Sequence, residues 1–234
     1  MQNILQLNIH RCNQQVEQID FDVRRMFNAG WAGNDPEAVQ HHIDELAELG
    51  VPAPKHVPTL FALGNFLLTT SESIQVHGEE TSGEVEYVLL WHKGELLVTV
   101  GSDHSDRKLE VHSIPKAKNM CLNVMAKDVW PYEEVEEHFA DLELSCFVTR
   151  QGQTSPYQQG RCRTLLQPSY WIDDVLGRAG GLTDGLVFFS GTIGTVQGLV
   201  VGERYELSMQ DPVLHRTLSH QYKCEVLTGA IEDY

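Results

Sequence analysis

Glu84 and Glu86 stand on alternate positions of an apolar run, and Asp103 closes the next run. In a strand, alternate side chains point to one face, so the two glutamates look the same way. Val85, Val88, Leu89 and Leu90 make a poor setting for two unpaired charges. Gly94 marks a turn, and Glu95 to Val100 reads as the return strand, which brings Asp103 back toward the pair. Three hard oxygen ligands converging at a strand end suit Mg²⁺, Mn²⁺ or Ca²⁺. Against one divalent ion they leave about one excess negative charge. Arg107, four residues past Asp103, can then bind the carboxylate of a small anionic substrate. The same residues also have a plainer reading. Alternate glutamates occur on solvated strand faces, and Asp103 to Arg107 can be a polar turn closed by an ion pair.

The surrounding sequence predicts the elements that must position these groups. Asn34-Asp35-Pro36-Glu37 is a helix start, with Asp35 as N-cap and Pro36 at the first helical position. Val39, Ile43, Leu46 and Ala47 form one apolar face, and Gly50 stops the helix. Pro52, Pro54 and Pro58 make an extended connector, and Thr59 to Val100 reads as strands and turns. A second helix is predicted over Pro131 to Leu142, with Val135, Phe139 and Leu142 facing inward and Glu133, Glu134, Glu136, Glu137 and His138 on its wet face. A third covers Trp171 to Ala179 and ends at Gly180-Gly181. Strands return at Leu186 to Ser190, Glu203 to Gln210 and Gln221 to Leu227. Strands dominate and helices are peripheral, so the fold class is α+β with a mixed, rolled or barrel-like sheet. The regular strand–helix alternation of a doubly wound fold is missing.

Composition bounds the function classes. The chain has 234 residues, 41% hydrophobic, enough to bury a core. Seventeen basic against 33 acidic residues give a formal charge of −16, which argues against broad nucleic-acid or anionic-membrane binding. Met1 to His10 does not read as a signal peptide, and no apolar run reaches membrane-spanning length, so a cytoplasmic protein is expected. Five widely spaced cysteines without a C-x-x-C pair fit reduced thiols and supply neither a zinc site nor a disulfide framework. Cys121, Cys146 and Cys224 lie among apolar residues and read as buried thiols; His77, His92, His104 and His112 sit near the motif and read as surface residues, with His104 also placed to tune the site.

Glu84-Val85-Glu86, Asp103-His104-Ser105-Asp106-Arg107 and Ser190-Gly191-Thr192 resemble, in this order, the E-x-E strand, D-x-S-x-R turn and S/T-G-T loop of the fumarylacetoacetase-like superfamily. Over nearly its full length the chain also resembles the DUF2848 proteins. Ala29-Gly30-Trp31, His42 to Leu46, Ser82 to Glu86, Gly101 to Arg107 and Lys118 to Cys121 carry that likeness. The resemblance implies a catalytic core over residues 58–234, preceded by a strand and helix segment over 1–57, all within one structural domain; the helix is expected to act as a lid because it stands between the glycine-containing entry Ala29 to Gly33 and the proline-rich connector. It implies metal binding by Glu84, Glu86 and Asp103, and a substrate contact by Arg107 and Ser105 of the arginine turn and by Thr192. It also implies an active-site lysine at Lys118, with Lys116 as competitor, and a homodimer. His42 and Glu45 have the H-x-x-E spacing of the dyad with which many members activate water. The segment from Asp103 to Lys118 is short for the family, and its usual glutamine after the arginine turn is here Glu110.

The chemistry expected from this set is carbonyl activation. A metal polarises a 2-oxo acid or 1,3-dicarbonyl compound and stabilises an enolate. Three residues apart on one helix, His42 and Glu45 are neighbours, so Glu45 can orient an imidazole general base. The same spacing also suits an exposed surface pair; Lys118 also reads as a solvated lysine and Thr192 as a turn residue. The leading expectation is a divalent-metal-dependent hydrolase that cleaves a C–C bond in an acylpyruvate-like acid. A hydratase or decarboxylase of the same fold is the second reading, and a non-catalytic metal- or ligand-binding protein the third.

Overall fold

The computed structural model describes residues 2–48, 53–175, 177, 180–227 and 229, excepting the side chains of His42, Glu45, Leu46, Asp174 and Val175. The chain begins with β1 (Asn3–His10), β2 (Val16–Val23), β3 (Arg25–Gly30), α1 (Pro36–Glu48) and β4 (Thr59–Leu63). Short strands β5 (Leu68–Thr69), β6 (Ser73–His77) and β7 (Thr81–Ser82) lead to the long hairpin of β8 (Val85–His92) and β9 (Glu95–Ser102). Then come β10 (Ser105–Asp106), α2 (Arg107–Glu110), α3 (Ile114–Met120), β11 (Asn123–Met125) and β12 (Asp128–Pro131). The last part holds β13 (Glu143–Arg150), β14 (Gln153–Arg161), α4 (Pro168–Tyr170), β15 (Leu186–Phe189), β16 (Arg204–Asp211) and β17 (Arg216–Leu227).

These strands form a two-layer α+β fold. The larger sheet has the order β2-β1-β12-β9-β8-β15-β3-β4, with β11 beside β9 and β5 beside β11. It is mixed: β1 runs parallel to β12 and β15 parallel to β3, whereas β8 is antiparallel to both β9 and β15. Ile19 and Phe21 from one end of the strand path share an apolar cluster with Phe61 and Leu63 from the other end, so the sheet curls around that face. Val85, Tyr87, Leu89, Val98 and Val100 point to the opposite face. There they pack against Leu144, Val148, Tyr205, Leu207 and Tyr222 of the second sheet, whose order is β14-β13-β16-β17-β6. Because residues alternate along β8 and β9, Glu84 and Glu86 fall on the curled side with Val88 and Leu90, and Asp103 falls there with Leu97. Strands β1 to β3 of the N-terminal segment are part of this sheet.

The predicted helix start at Asp35 is present. Its carboxylate accepts the N–H groups of Glu37 and Ala38 at 3.0 and 3.3 Å, and Ile43 is buried beneath α1. The expected stop at Gly50 lies outside the described residues. The long helix expected over Pro131 to Leu142 is instead two 3₁₀ segments, Tyr132–Glu134 and Glu136–Asp141, with non-helical backbone at His138. Tertiary partners override the helical pattern here. Glu134 accepts from the Cys12 N–H and from Arg216, while His138 pairs with Asp211, so successive side chains are drawn in different directions. The third expected helix is a single α-turn running into a π-helical turn, Trp171–Val175; Ala179 lies outside the described residues.

Phe188 is fully buried at the centre of the fold, its ring 4.8 Å from that of Trp171. Phe188→Ala should cost about 3–5 kcal/mol of unfolding free energy, measurable by urea denaturation. A cost below about 1 kcal/mol would contradict this packing.

Candidate metal centre

The hairpin turn does the first part of the assembly. Lys93 and Gly94 both have left-handed φ, 47° and 85°, which matches the twist of β8 and β9 and sets His92 opposite Glu95. That register puts Val85 opposite Ser102, and the Asp103 N–H donates to the Glu84 carbonyl at 3.1 Å. Carboxylate oxygens of Glu84, Glu86 and Asp103 thereby lie within 4.8 Å of one another. Glu86 and Asp103 are buried, and Glu84 is largely so.

Two cations share this space. Lys118 on α3 bonds through Nζ to Asp103 Oδ2 and is 5% exposed, whereas Lys116, half a turn away, faces solvent. Burial pulls the Lys118 pKa down, but Asp103, Glu84 and Glu86 more than reverse the effect, so the ammonium keeps its proton. Asp103 answers in kind: burial pushes its pKa up, and the Lys118 charge and hydrogen bond bring it below the ordinary value. Arg107 lies 3.1 Å from Glu84 Oε1. Its remaining donors reach Ser82 Oγ at 2.7 Å, the Ser82 carbonyl at 3.3 Å and Glu110 Oε2 at 3.0 Å. Burial raises the Glu84 pKa, and Arg107 opposes the rise. Glu86 has no cation in contact among the described residues. Burial and the Asp103 charge hold its carboxyl well above the ordinary glutamate value, although the Gly191 N–H donates to Oε2 at 2.8 Å.

The other residues marked by sequence take definite places. Ser105 is buried and donates to Asp103 Oδ1 at 3.3 Å. Gly191 adopts a φ of 82°, open to glycine, which turns its N–H toward Glu86. The Thr192 hydroxyl donates to the Val85 carbonyl and accepts from Gln158 Nε2, both at 2.8 Å. His42 and Glu45 belong to α1, but their side chains lie outside the described residues.

Several contributors escaped the sequence reading. Gln158 on β14 accepts the Val85 N–H at 2.8 Å and donates to the Ile193 carbonyl at 2.7 Å, clamping the glutamate strand to the Gly191–Thr192 loop. His104, expected at the surface, is fully buried; burial and the Arg107 charge lower its pKa to about 3, so its ring is neutral. The reason is tertiary, because β17 of the second sheet covers it with Tyr222. Cys121 and Cys146 are buried as expected, whereas Cys224 is only half-buried. Asn28 and Asn123 are also fully buried. The Asn28 amide lies close enough to Asp103 to lower its pKa, yet neither asparagine makes a well-aligned side-chain hydrogen bond among the described residues. The one signal available for the asparagines was strand alternation, which places Asn28 on the same face as Met26.

A divalent ion fits this donor set. Four carboxylates, counting Glu110 on Arg107, against two cations leave two excess negative charges, which one divalent ion neutralises. All three donors are hard oxygens, as Mg²⁺, Mn²⁺ and Ca²⁺ require. The site can hold such an ion.

A family model described as "Protein of unknown function (DUF2848)" matches residues 29–222. No curated protein matches the sequence. Among solved structures, a 2-keto-3-deoxyarabinonate dehydratase is 16% identical, with a TM-score of 0.67 over 91% of this chain and 79% of that one. A putative fumarylacetoacetate isomerase/hydrolase from Oleispira antarctica is 17% identical, with a TM-score of 0.65 over 94% and 100% of the two chains. A 2-keto-3-deoxy-D-arabinonate dehydratase complexed with magnesium and 2,5-dioxopentanoate is 18% identical, with a TM-score of 0.59 over 88% and 74%. These likenesses establish the fold as that of the fumarylacetoacetate hydrolase family. No helix among the described residues is long and apolar enough to cross a membrane.

The raised pKa of Glu86 gives a test of sign. Without metal, the stability that comes from the protonated carboxyl is full below the unfolded value of 4.5 and is lost as pH rises through the elevated folded value. In EDTA, Tm should therefore fall across the pH range above 4.5, and Glu86→Gln should flatten that part of the fall. Added Mg²⁺ should raise the wild-type Tm most at the high-pH end and leave the Glu86→Gln Tm unmoved. An equal Mg²⁺ effect in both proteins would contradict the assignment.

Proposed function

The chain belongs to the DUF2848 family, and on that premise we propose a divalent-metal-dependent enzyme that cleaves a C–C bond in an acylpyruvate-like or other 2-oxo or 1,3-dicarbonyl acid. The observation that carries this reading is the buried convergence of Glu84, Glu86 and Asp103. A bound divalent ion would supply the charge that polarises a 2-oxo group.

The protein's own residues have these parts. Lys118, protonated, holds Asp103 and offers its positive charge to an anionic substrate or to charge developing during reaction. Arg107 fixes Glu84 with one arm and adds a second positive charge beside the site; a substrate carboxylate meets its field even while its hydrogen bonds stay with Ser82, Glu84 and Glu110. Ser105 orients Asp103. Thr192 and Gly191 close the site over Glu86 and mark where a substrate carboxylate would rest. His42 and Glu45, on a helix outside the strand layers, are assigned as the water-activating pair on a lid that settles over bound substrate.

A lyase on a 2-oxo acid is the second reading, supported by the dehydratases among the structural neighbours. The two separate at His42. His42→Ala should lower hydrolysis of an acylpyruvate by about 10²–10⁴ while sparing solvent exchange at the substrate carbon next to the 2-oxo group, followed by NMR in D₂O. A lyase would show no hydrolysis in the wild type and would release or take up water or CO₂. Glu86→Ala should abolish turnover in either case. Full activity in Glu86→Ala would end both readings.

A further inference from the structure

We infer that Ser102, Tyr222 and His104 form a positioning relay through which the second sheet holds Glu84 at the metal centre. This rests on the reading of Glu84 as a metal ligand. The Glu84 N–H donates to Ser102 Oγ at 3.1 Å, and Ser102 Oγ lies 2.8 Å from the Tyr222 hydroxyl. That hydroxyl is 3.0 Å from His104 Nδ1, and His104 Nε2 is 2.9 Å from Thr81 Oγ1. All four residues are buried: Thr81 is 3% exposed, and Ser102, His104 and Tyr222 are fully enclosed. An unmade bond here would leave a polar atom without water.

The bonds can run in two directions. In one, the Ser102 hydrogen goes to Tyr222, the Tyr222 hydrogen goes to Nδ1, and Nε2–H donates to Thr81; in the other, Thr81 donates to Nε2, Nδ1–H to Tyr222, and Tyr222 to Ser102. In both, Ser102 accepts from Glu84, and a neutral imidazole donates through one ring nitrogen and accepts at the other.

Two further observations give the relay rigidity. Tyr222 stacks on Tyr205 with ring centroids 5.4 Å apart, and His104 meets both rings edge-on. The backbone just before Glu84 passes so close that a Cβ at Gly83 would overlap the Tyr222 hydroxyl. The chain leading into Glu84 is thus set against a fixed wall, and that wall belongs to β17.

Such residues act through Glu84 and touch neither metal nor substrate. The test is calorimetric titration of Mn²⁺ into the full chain. Ser102→Ala and Tyr222→Phe should each weaken binding about tenfold. Their double variant should bind no more weakly than either single one, because a relay broken at one joint has nothing left to lose at the next. Ser208→Ala removes a hydroxyl of the second sheet that pairs with Ser145 at 2.7 Å and has no part in the relay, so it should bind Mn²⁺ as the wild type does. Nitrogen NMR should show the His104 Nδ1 resonance shifted in Tyr222→Phe relative to the wild type. Unchanged Mn²⁺ affinity in Ser102→Ala, additive losses in the double variant, or an Nδ1 resonance unmoved in Tyr222→Phe would each overturn the relay. Should Tyr222→Phe not fold, Ser102→Ala still decides. A wild type that does not bind Mn²⁺ would end the metal reading and the relay with it.

Discussion

Like charges in a dry space are the constraint on which the rest of this structure depends. Glu84, Glu86 and Asp103 sit within 4.8 Å of one another with little access to water. Repulsion between them is far stronger there than in solvent. Each carboxylate is met differently. Asp103 takes the Lys118 ammonium, Glu84 takes the Arg107 guanidinium, and Glu86 takes a backbone N–H and keeps a raised pKa. Glu86 is thus the group whose charge is left over, and a divalent ion is the partner that resolves it.

The two layers divide the work. The curled sheet delivers the carboxylates, because β8 and β9 hold them on one face by strand alternation. The second sheet holds the strand ends in place. Gln158 from β14 ties Val85 to the Gly191–Thr192 loop, and Tyr222 from β17 stands behind Ser102 and His104. A site of this kind needs both layers to fold before it exists, since its ligands and its supports lie far apart in sequence. Helices contribute at the rim, where α3 supplies Lys118 and α2 begins with Arg107.

What sequence could reveal followed from locality. The pairing of Glu84 with Glu86 rests on a period of two, and the return of Asp103 rests on a two-residue turn at Lys93-Gly94; both are short-range rules. The α+β class was legible from the same strand-and-turn spacing. Whether Lys116 or Lys118 faces the site depends on where α3 begins and how it docks, which no local rule supplies. Arg107 could be placed near Asp103, but not its bonds to Ser82 and Glu110. Gln158, Asn28 and Asn123 carry no motif, and only the folded sheets bring them near the carboxylates. His104 looked like one surface histidine among several, because the tyrosine that covers it lies 118 positions away. The helix read at Pro131 to Leu142 shows the converse: the apolar spacing was there, and partners at Cys12, Asp211 and Arg216 gave it another shape.

The account stands or falls on an ion among three carboxylates. Anomalous diffraction from crystals grown with Mn²⁺ tests this most directly. The account predicts one strong peak between Glu84, Glu86 and Asp103, about 2.0–2.6 Å from an oxygen of each, with Lys118 and Arg107 still beside Asp103 and Glu84. Absence of a peak there at saturating Mn²⁺, with the carboxylates held only by the two cations and a proton on Glu86, would contradict it.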